Sequence, residues 1–207
     1  MIVDDHPVVR EGYRRLIDLQ PGLRIVGEAE DARTAYSQFR ALEPDVVVMD
    51  LTLAGASGIE AIRHIRQYDD AARIVVFTMH LSAAFALKSI RAGATSYITK
   101  SSDPKLLIDA IFGALHGRRS ISPDVMEAIA HDRVSGAGTG LADLTPRQTE
   151  ILCLIARGWL PNRIAEELSI SLKTVRNNHY QIKTILGLET DAQLVWFALQ
   201  SGLLPEA

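Results

Sequence analysis

Short apolar runs alternate with segments of helical spacing through the first half of the chain. Ile2–Val3, Leu23–Val26, Val46–Met49, Ile74–Phe77 and Tyr97–Ile98 are each only a few residues long and mostly β-branched or aromatic, which predicts strands. The unbroken run Val46-Val47-Val48-Met49 reads as a strand buried on both faces of a parallel sheet. Between the runs, Ala32, Ala35, Phe39 and Leu42 mark one helical face, and Ile59, Ile62 and Ile65 mark another. Ser57 with Glu60 predicts a capping box, and Asp103 followed by Pro104 predicts a helix from there to about Leu115. Alternation of this kind predicts an α/β doubly wound parallel sheet. If its strand order is 2-1-3-4-5, the first and third strands are neighbours at the topological switch point.

From Leu144 onward the pattern is helical only. Thr145-Pro146-Arg147-Gln148 predicts a capping box with proline at N1, opening a helix that buries Ile151, Leu152 and Ile155. A short helix follows from Pro161 to about Leu168. Ser171 caps a longer one reaching Leu186-Gly187, and a last helix spans about Asp191–Ser201. Short helix, tight turn at Ser169-Ile170-Ser171, then longer helix is the helix-turn-helix layout. Between the halves, a short helical stretch from Pro123 to about His131 precedes Ser135-Gly136-Ala137-Gly138-Thr139-Gly140, which has flexible-linker composition. The expected boundaries are 1–116, a linker at 117–143, and 144–207.

Polar residues fall at the strand ends. Asp4 and Asp5 follow the first strand, Asp50 ends the third, Thr78 the fourth and Lys100 the fifth. Each alone is an ordinary turn residue or cap, and it is their joint placement that matters. With the first and third strands adjacent, three carboxylates converge, repel one another and need a cation. Hard oxygen ligands at an open site suit Mg²⁺. Such an ion would shield charge as a phosphoryl group passes to a carboxylate nucleophile, and Lys100 and Thr78 could receive the phosphoryl oxygens. On the helix after Ser171, the expected exposed positions Lys173, Thr174, Arg176, Asn177, Tyr180 and Lys183 include three cations and no acid, which suits phosphate contact and base reading.

Composition narrows the classes. The net charge of −3 excludes a uniformly basic nucleic-acid coat but leaves a local basic face possible. One cysteine, Cys153, rules out an internal disulfide framework and reads as a buried helix residue. No apolar run approaches the roughly 20 residues needed to span a bilayer, and Asp4 and Asp5 interrupt any signal peptide, so a cytoplasmic location without membrane contact is expected.

Ile2-Val3-Asp4-Asp5-His6-Pro7, Val46–Leu51 with Gly58, Thr78-Met79-His80 and Arg91-Ala92-Gly93-Ala94 leading to Tyr97-Ile98-Thr99-Lys100 resemble the receiver domain of bacterial response regulators, a flavodoxin-like fold. Leu144-Thr145-Pro146-Arg147, Ile164-Ala165-Glu166-Glu167-Leu168, Lys173-Thr174-Val175-Arg176-Asn177 and Leu186-Gly187 resemble the LuxR-type helix-turn-helix DNA-binding module. The whole chain is similar to the NarL/FixJ class of two-component transcription regulators. That resemblance implies Asp50 as phosphoacceptor, served by a sensor histidine kinase. It implies a Mg²⁺ site of Asp5, Asp50 and the Thr52 carbonyl, with Asp4 acting through water. It also implies Thr78 and Tyr97 as a switch pair, groove contacts from Arg176, Asn177 and Tyr180, and backbone contacts nearer Lys173, Thr174 and Lys183. In this family the last helix commonly pairs two modules, so Leu194, Val195 and Ala198 are the expected contacts of a homodimer on paired half-sites of double-stranded DNA.

The chain departs from the family pattern in places. Ala54 stands near the usual proline after the phosphoacceptor loop, and Ser101 where many receivers have a cis proline. Ser96 replaces a usual glycine, Asn178 a common histidine, and Leu160-Pro161-Asn162-Arg163 the usual Ser-Asn-Lys-Glu. Only Met1, Ile2 and Val3 precede the acidic pair, short for a central strand, so residues upstream of Met1 are expected. The expected function is phosphorylation-dependent transcription regulation, with the receiver as substrate and switch rather than enzyme. One alternative is a receiver that serves only as a dimerisation scaffold. Another is a flavodoxin-like ligand-binding or enzyme domain, against which stands the lack of a glycine-rich phosphate loop after the first strand.

Overall fold

The computed structural model describes residues 1–53, 57–135, 140–201 and 203–204. Ala54 and the linker positions 136–139 lie outside the described residues, as do the side chains of residues 131–135. The described chain divides into two compact units, residues 1–79 with 89–122, and residues 80–88 with 123–207.

The first unit is built on five parallel strands, β1 (Ile2–Val3), β2 (Glu28–Ala29), β3 (Val47–Met49), β4 (Ile74–Thr78) and β5 (Ser96–Thr99). Their order is β2-β1-β3-β4-β5, as the sequence predicts. Helices α1 (Pro7–Asp18), α2 (Ala32–Leu42), α3 (Gly58–Tyr68) and α5 (Pro104–Leu115) connect or follow them, as does α4 (Ala83–Ala92), whose residues 83–88 fall in the second unit. Because side chains alternate along a strand, Ile2, Val48, Val75, Phe77 and Ile98 share one buried cluster with Ile17 of α1 and Leu107, Ile108 and Ile111 of α5. Tyr13 of α1 seals it edge-on against Phe77, ring centroids 4.5 Å apart. Each fully buried aliphatic side chain contributes about 1.5–3 kcal/mol, so this continuous layer is what holds β1 and β3 side by side.

The second strand is a correction. The expected run Leu23–Val26 makes no ladder, and pairing begins only at Glu28, opposite Ile2. Leu23 and Ile25 instead pack their side chains against the core.

Helix starts follow local chemistry. Asp31 accepts from Thr34 N and caps α2, and Asp103 accepts from Lys105 N ahead of α5. Ser57 caps α3 through Ile59 N at 3.3 Å, one residue short of the Glu60 position that a capping box uses. Beyond α5, Tyr97 N donates to Ser120 O at 2.8 Å and Ser122 N donates to Tyr97 O at 3.0 Å. Residues 120–122, at the start of the expected linker, are thereby stitched in parallel onto β5. No peptide bond among the described residues is cis, so Lys100–Ser101 is trans.

The second unit contains α6 (Pro123–Ser135), a 3-10 turn (Leu141–Asp143), α7 (Pro146–Ala156), α8 (Pro161–Glu167), α9 (Leu172–Leu186) and α10 (Asp191–Gln200). It also takes in residues 80–88, where the buried Lys88 ammonium donates to Leu144 O and Thr149 Oγ1, both at 2.7 Å. The Thr145–Gln148 capping box is present on α7, and a second, Thr190–Gln193, starts α10. Helix α9 packs on α7 and α8, and α10 packs on α7. Ile151, Leu152, Ile164, Val175, Ile182 and Leu194 fill the space between them. Ser169 turns the chain between α8 and α9 with φ 50°, and Gly187 ends α9 with φ 65°.

Candidate functional sites

The sheet order brings the ends of β1 and β3 together. Asp4 and Asp50 are both buried, and Lys100, from the end of β5, reaches across to them. Its Nζ lies 2.6 Å from Asp4 Oδ2 and 2.5 Å from Asp50 Oδ2. Asp50 Oδ1 accepts from Leu51 N at 2.6 Å, and the Thr78 hydroxyl also bonds the Asp50 carboxylate. The loop after Asp50 is closed where Gly58 N donates to Leu51 O at 2.8 Å. There is room for no larger residue at position 58, because a Cβ would stand 2.1 Å from Asp50 O.

Burial dominates the electrostatics. It raises the Asp50 carboxyl above its ordinary value, against Lys100 and Thr78, which favour the ionised form. Burial raises Asp5 too, opposed by His6 and reinforced by Asp4. For Lys100, burial works against the charge, but Asp50 and Asp4 outweigh it and raise the ammonium above its ordinary value. The carboxylates thus take their compensating charge from Lys100.

Asp4, Asp5, His6 and Asp50 each offer a ligand atom, and these atoms all lie within 4.8 Å of one another. Asp5 Oδ1 is buried and makes no hydrogen bond, with His6 Nδ1 2.7 Å away. A buried carboxylate oxygen with no donor is costly unless a cation meets it, so the donor set fits a metal ion. His6 was not among the expected ligands. Its backbone N–H also donates to Asp4 Oδ1 at 2.9 Å, so the residue helps to orient the acidic pair. The consecutive acid-acid-histidine of Asp4-Asp5-His6 was the available signal. The expected ligand Thr52 is half-buried two residues beyond Asp50. Tyr97 is fully buried in β5, with its ring inside the unit.

On α9, Lys173, Thr174, Arg176, Asn177 and Tyr180 are exposed, as expected, around the buried Val175. Lys183 is different. It is half-buried and pairs with Asp191 at 3.0 Å, where His179 also approaches at 2.9 Å. Hydrogen bonding from Lys183 leads the influences that hold the Asp191 carboxyl below its ordinary value.

The expected dimer contacts on α10 differ in burial. Leu194 and Ala198 are buried inside their own module, whereas Val195 is half-buried. The capping box fixes the phase of α10, and positions four apart then turn together toward α7. Trp196 and Leu199 are the outward apolar residues, 63% and 45% exposed.

A doubly wound sheet with a carboxylate cluster at its switch point, followed by a helix-turn-helix, defines a signal-receiving regulator. Residues 1–112 match the family model described as "Response regulator receiver domain", and residues 142–198 match "Bacterial regulatory proteins, luxR family". The chain belongs to the response regulators that join a receiver to a LuxR-type helix-turn-helix, and this makes it a signal-transduction regulator. It is 33% identical to the response regulator UvrY of Escherichia coli O6:H1 over 98% of this chain and 94% of that protein. A LuxR-family response regulator structure from Aurantimonas sp. SI85-9A1 is 61% identical with TM-score 0.63, covering 65% of this chain and 96% of that one. RcsB of Salmonella enterica serovar Typhimurium, solved on the promoter P1flhDC with the phosphomimetic BeF3-, is 28% identical with TM-score 0.64, covering 95% of both chains. No helix among the described residues is long and apolar enough to cross a membrane.

Proposed function

We propose that a sensor histidine kinase passes a phosphoryl group to Asp50 and that this controls dimerisation and binding to double-stranded DNA. The observation that carries the reading is Lys100 Nζ held between Asp4 and Asp50 at 2.6 and 2.5 Å, with the Thr78 hydroxyl on the same carboxylate. One Asp50 oxygen attacks phosphorus as the phosphohistidine N–P bond breaks. Lys100 and Thr78, already beside that carboxylate, turn to the new phosphoryl oxygens. Asp5, Asp50 and the Thr52 carbonyl would hold Mg²⁺, with Asp4 acting through water, and the ion would neutralise charge developing on the transferring group. Thr78 and Tyr97 form the switch pair in this reading, and phosphorylation biases the surface of α4, β5 and α5.

Residues 1–116 act as the receiver, 117–143 as the linker and 144–207 as the DNA-binding module. Arg176, Asn177 and Tyr180 read the major groove from α9, and Lys173 and Thr174 meet the phosphate backbone. Lys183 reaches phosphate only by leaving Asp191. A second copy pairs through α10, where Trp196, Leu199 and half-buried Val195 face outward and Leu194 and Ala198 support them from behind. The promoter complex of the RcsB relative supports DNA as the target.

Intact-protein mass spectrometry after incubation with Mg²⁺ and acetyl phosphate tests the switch. One base-labile phosphoryl adduct on the wild type and none on Asp50→Ala is the expected result. Footprinting should then show tighter, dimeric protection by the phosphorylated chain. Equal protection by Asp50→Ala and phosphorylated wild type would refute phosphorylation control.

A further inference from the structure

Arg163 is the third residue of α8, the helix that precedes the recognition helix α9. Its guanidinium carbon sits 3.7 Å from the centre of the Trp159 ring. Arg163 is exposed, and no carboxylate among the described residues forms an ion pair with it. An exposed arginine normally samples many rotamers and loses that freedom on binding. Stacking on Trp159, the half-buried residue that precedes Leu160, removes much of that loss in advance.

In the helix-turn-helix geometry the first helix crosses the phosphate backbone while the second enters the groove. Helix α8 carries its charge unevenly. Arg163 is at its start, and Glu166 and Glu167, both exposed, are at its end. The acidic end repels phosphate, so only the Arg163 end can meet a strand. We propose that Arg163 is a phosphate-backbone contact of the DNA complex, with Trp159 as its positioning residue. The inference deepens the DNA-binding reading and rests on it. Arg163 supplies affinity without sequence information, because it meets phosphate rather than base edges.

The test uses the full chain and two duplexes, one enriched from a random pool by the wild-type protein and one of scrambled sequence. Binding is measured by fluorescence anisotropy across a salt series. Removing one phosphate contact makes the slope of log affinity against log salt shallower by about 0.9. A homodimer on paired half-sites loses two such contacts in Arg163→Ala, so its affinity deficit relative to wild type should narrow about 12-fold as salt rises fourfold. The deficit should be the same on both duplexes. Trp159→Leu keeps the charge, so it should leave the slope unchanged while weakening binding less than Arg163→Ala does. Circular dichroism of both variants establishes that the module is folded. Wild-type affinity and slope for Arg163→Ala overturn the proposal, and so does a loss confined to the enriched duplex. Lys173→Ala and Arg176→Ala separate the two readings. If both also bind like wild type, the DNA reading of α9 fails. If both lose binding and Arg163→Ala does not, only the Arg163 assignment fails.

Discussion

Gly58→Ala is expected to damage the receiver unit far more than the addition of a methyl group suggests. The new Cβ would stand 2.1 Å from Asp50 O, 2.7 Å from Leu51 Cα and 3.0 Å from the Asp50 carbonyl carbon. All three are backbone atoms, so no rotamer change can relieve the clash. The gap to Asp50 O must open by about 1 Å, at the residue that presents the buried carboxylate, and overpacking of this kind costs roughly 1–3 kcal/mol. Gly12→Ala is the matched control. Its Cβ meets nothing within 4 Å, it lies inside α1, and it should stabilise by about 0.5–1 kcal/mol. For a unit of this size each kcal/mol shifts the midpoint by roughly 4–8 °C. Thermal unfolding followed by circular dichroism should therefore move Gly12→Ala up and Gly58→Ala down in the same transition. Phosphoryl labelling from acetyl phosphate should slow in Gly58→Ala alone, because the displaced backbone carries Asp50. A Gly58→Ala chain that melts with wild type and labels at the wild-type rate would refute the steric account.

The acidic cluster predicts a pH dependence. Burial raises Asp5 and Asp50 above their ordinary value of 3.8, so the folded state holds those protons more tightly than the unfolded one. Their stabilising contribution is complete below the unfolded value and is lost as pH climbs through the raised ones, so in EDTA the first unit should weaken from about pH 4 upward. Lys100 is also raised, and its contribution fades only well above neutrality. Divalent metal needs the carboxylates ionised, so the melting-temperature gain from Mg²⁺ should be larger at about pH 7.5 than at about pH 5. Equal gains at both would count against metal binding by these groups. Ser122→Pro removes the N–H that donates to Tyr97 O at 3.0 Å. It should cost about 1–3 kcal/mol, read as a lower midpoint with faster amide exchange around β5. An unchanged midpoint would mean that the stitching is not stabilising. Burial pushes the Cys153 thiol up to about 12, so alkylation should be negligible in the native chain and rapid once it unfolds. Rapid native labelling would show that α7 opens locally.

Periodicity alone determined a good deal of this protein. The alternation of strand and helix, the joint placement of Asp4, Asp5, Asp50, Thr78 and Lys100 at strand ends, and the Thr145 and Ser171 caps are all local facts. They follow from side-chain shape and from hydrogen bonds within a few residues, which is why they could be read from the chain. The resemblance to response regulators rested on those same positions.

Other features needed the third dimension. Leu23–Val26 has strand composition, yet pairing begins at Glu28, and Leu23 and Ile25 pack their side chains against the core instead. Leu194 and Ala198 looked like interface residues, but the phase of α10 against α7 turns them inward and leaves Trp196 and Leu199 outside. Lys183 read as a free cation until Asp191, eight residues on, came within 3.0 Å. His6 joined the acidic cluster, Arg163 settled on Trp159, and the segment beyond α5 bonded to Tyr97 through contacts that no spacing rule contains. Local sequence fixes which groups are available and which way each element starts. Which groups meet depends on packing between elements distant in the chain, and only the folded structure supplies that.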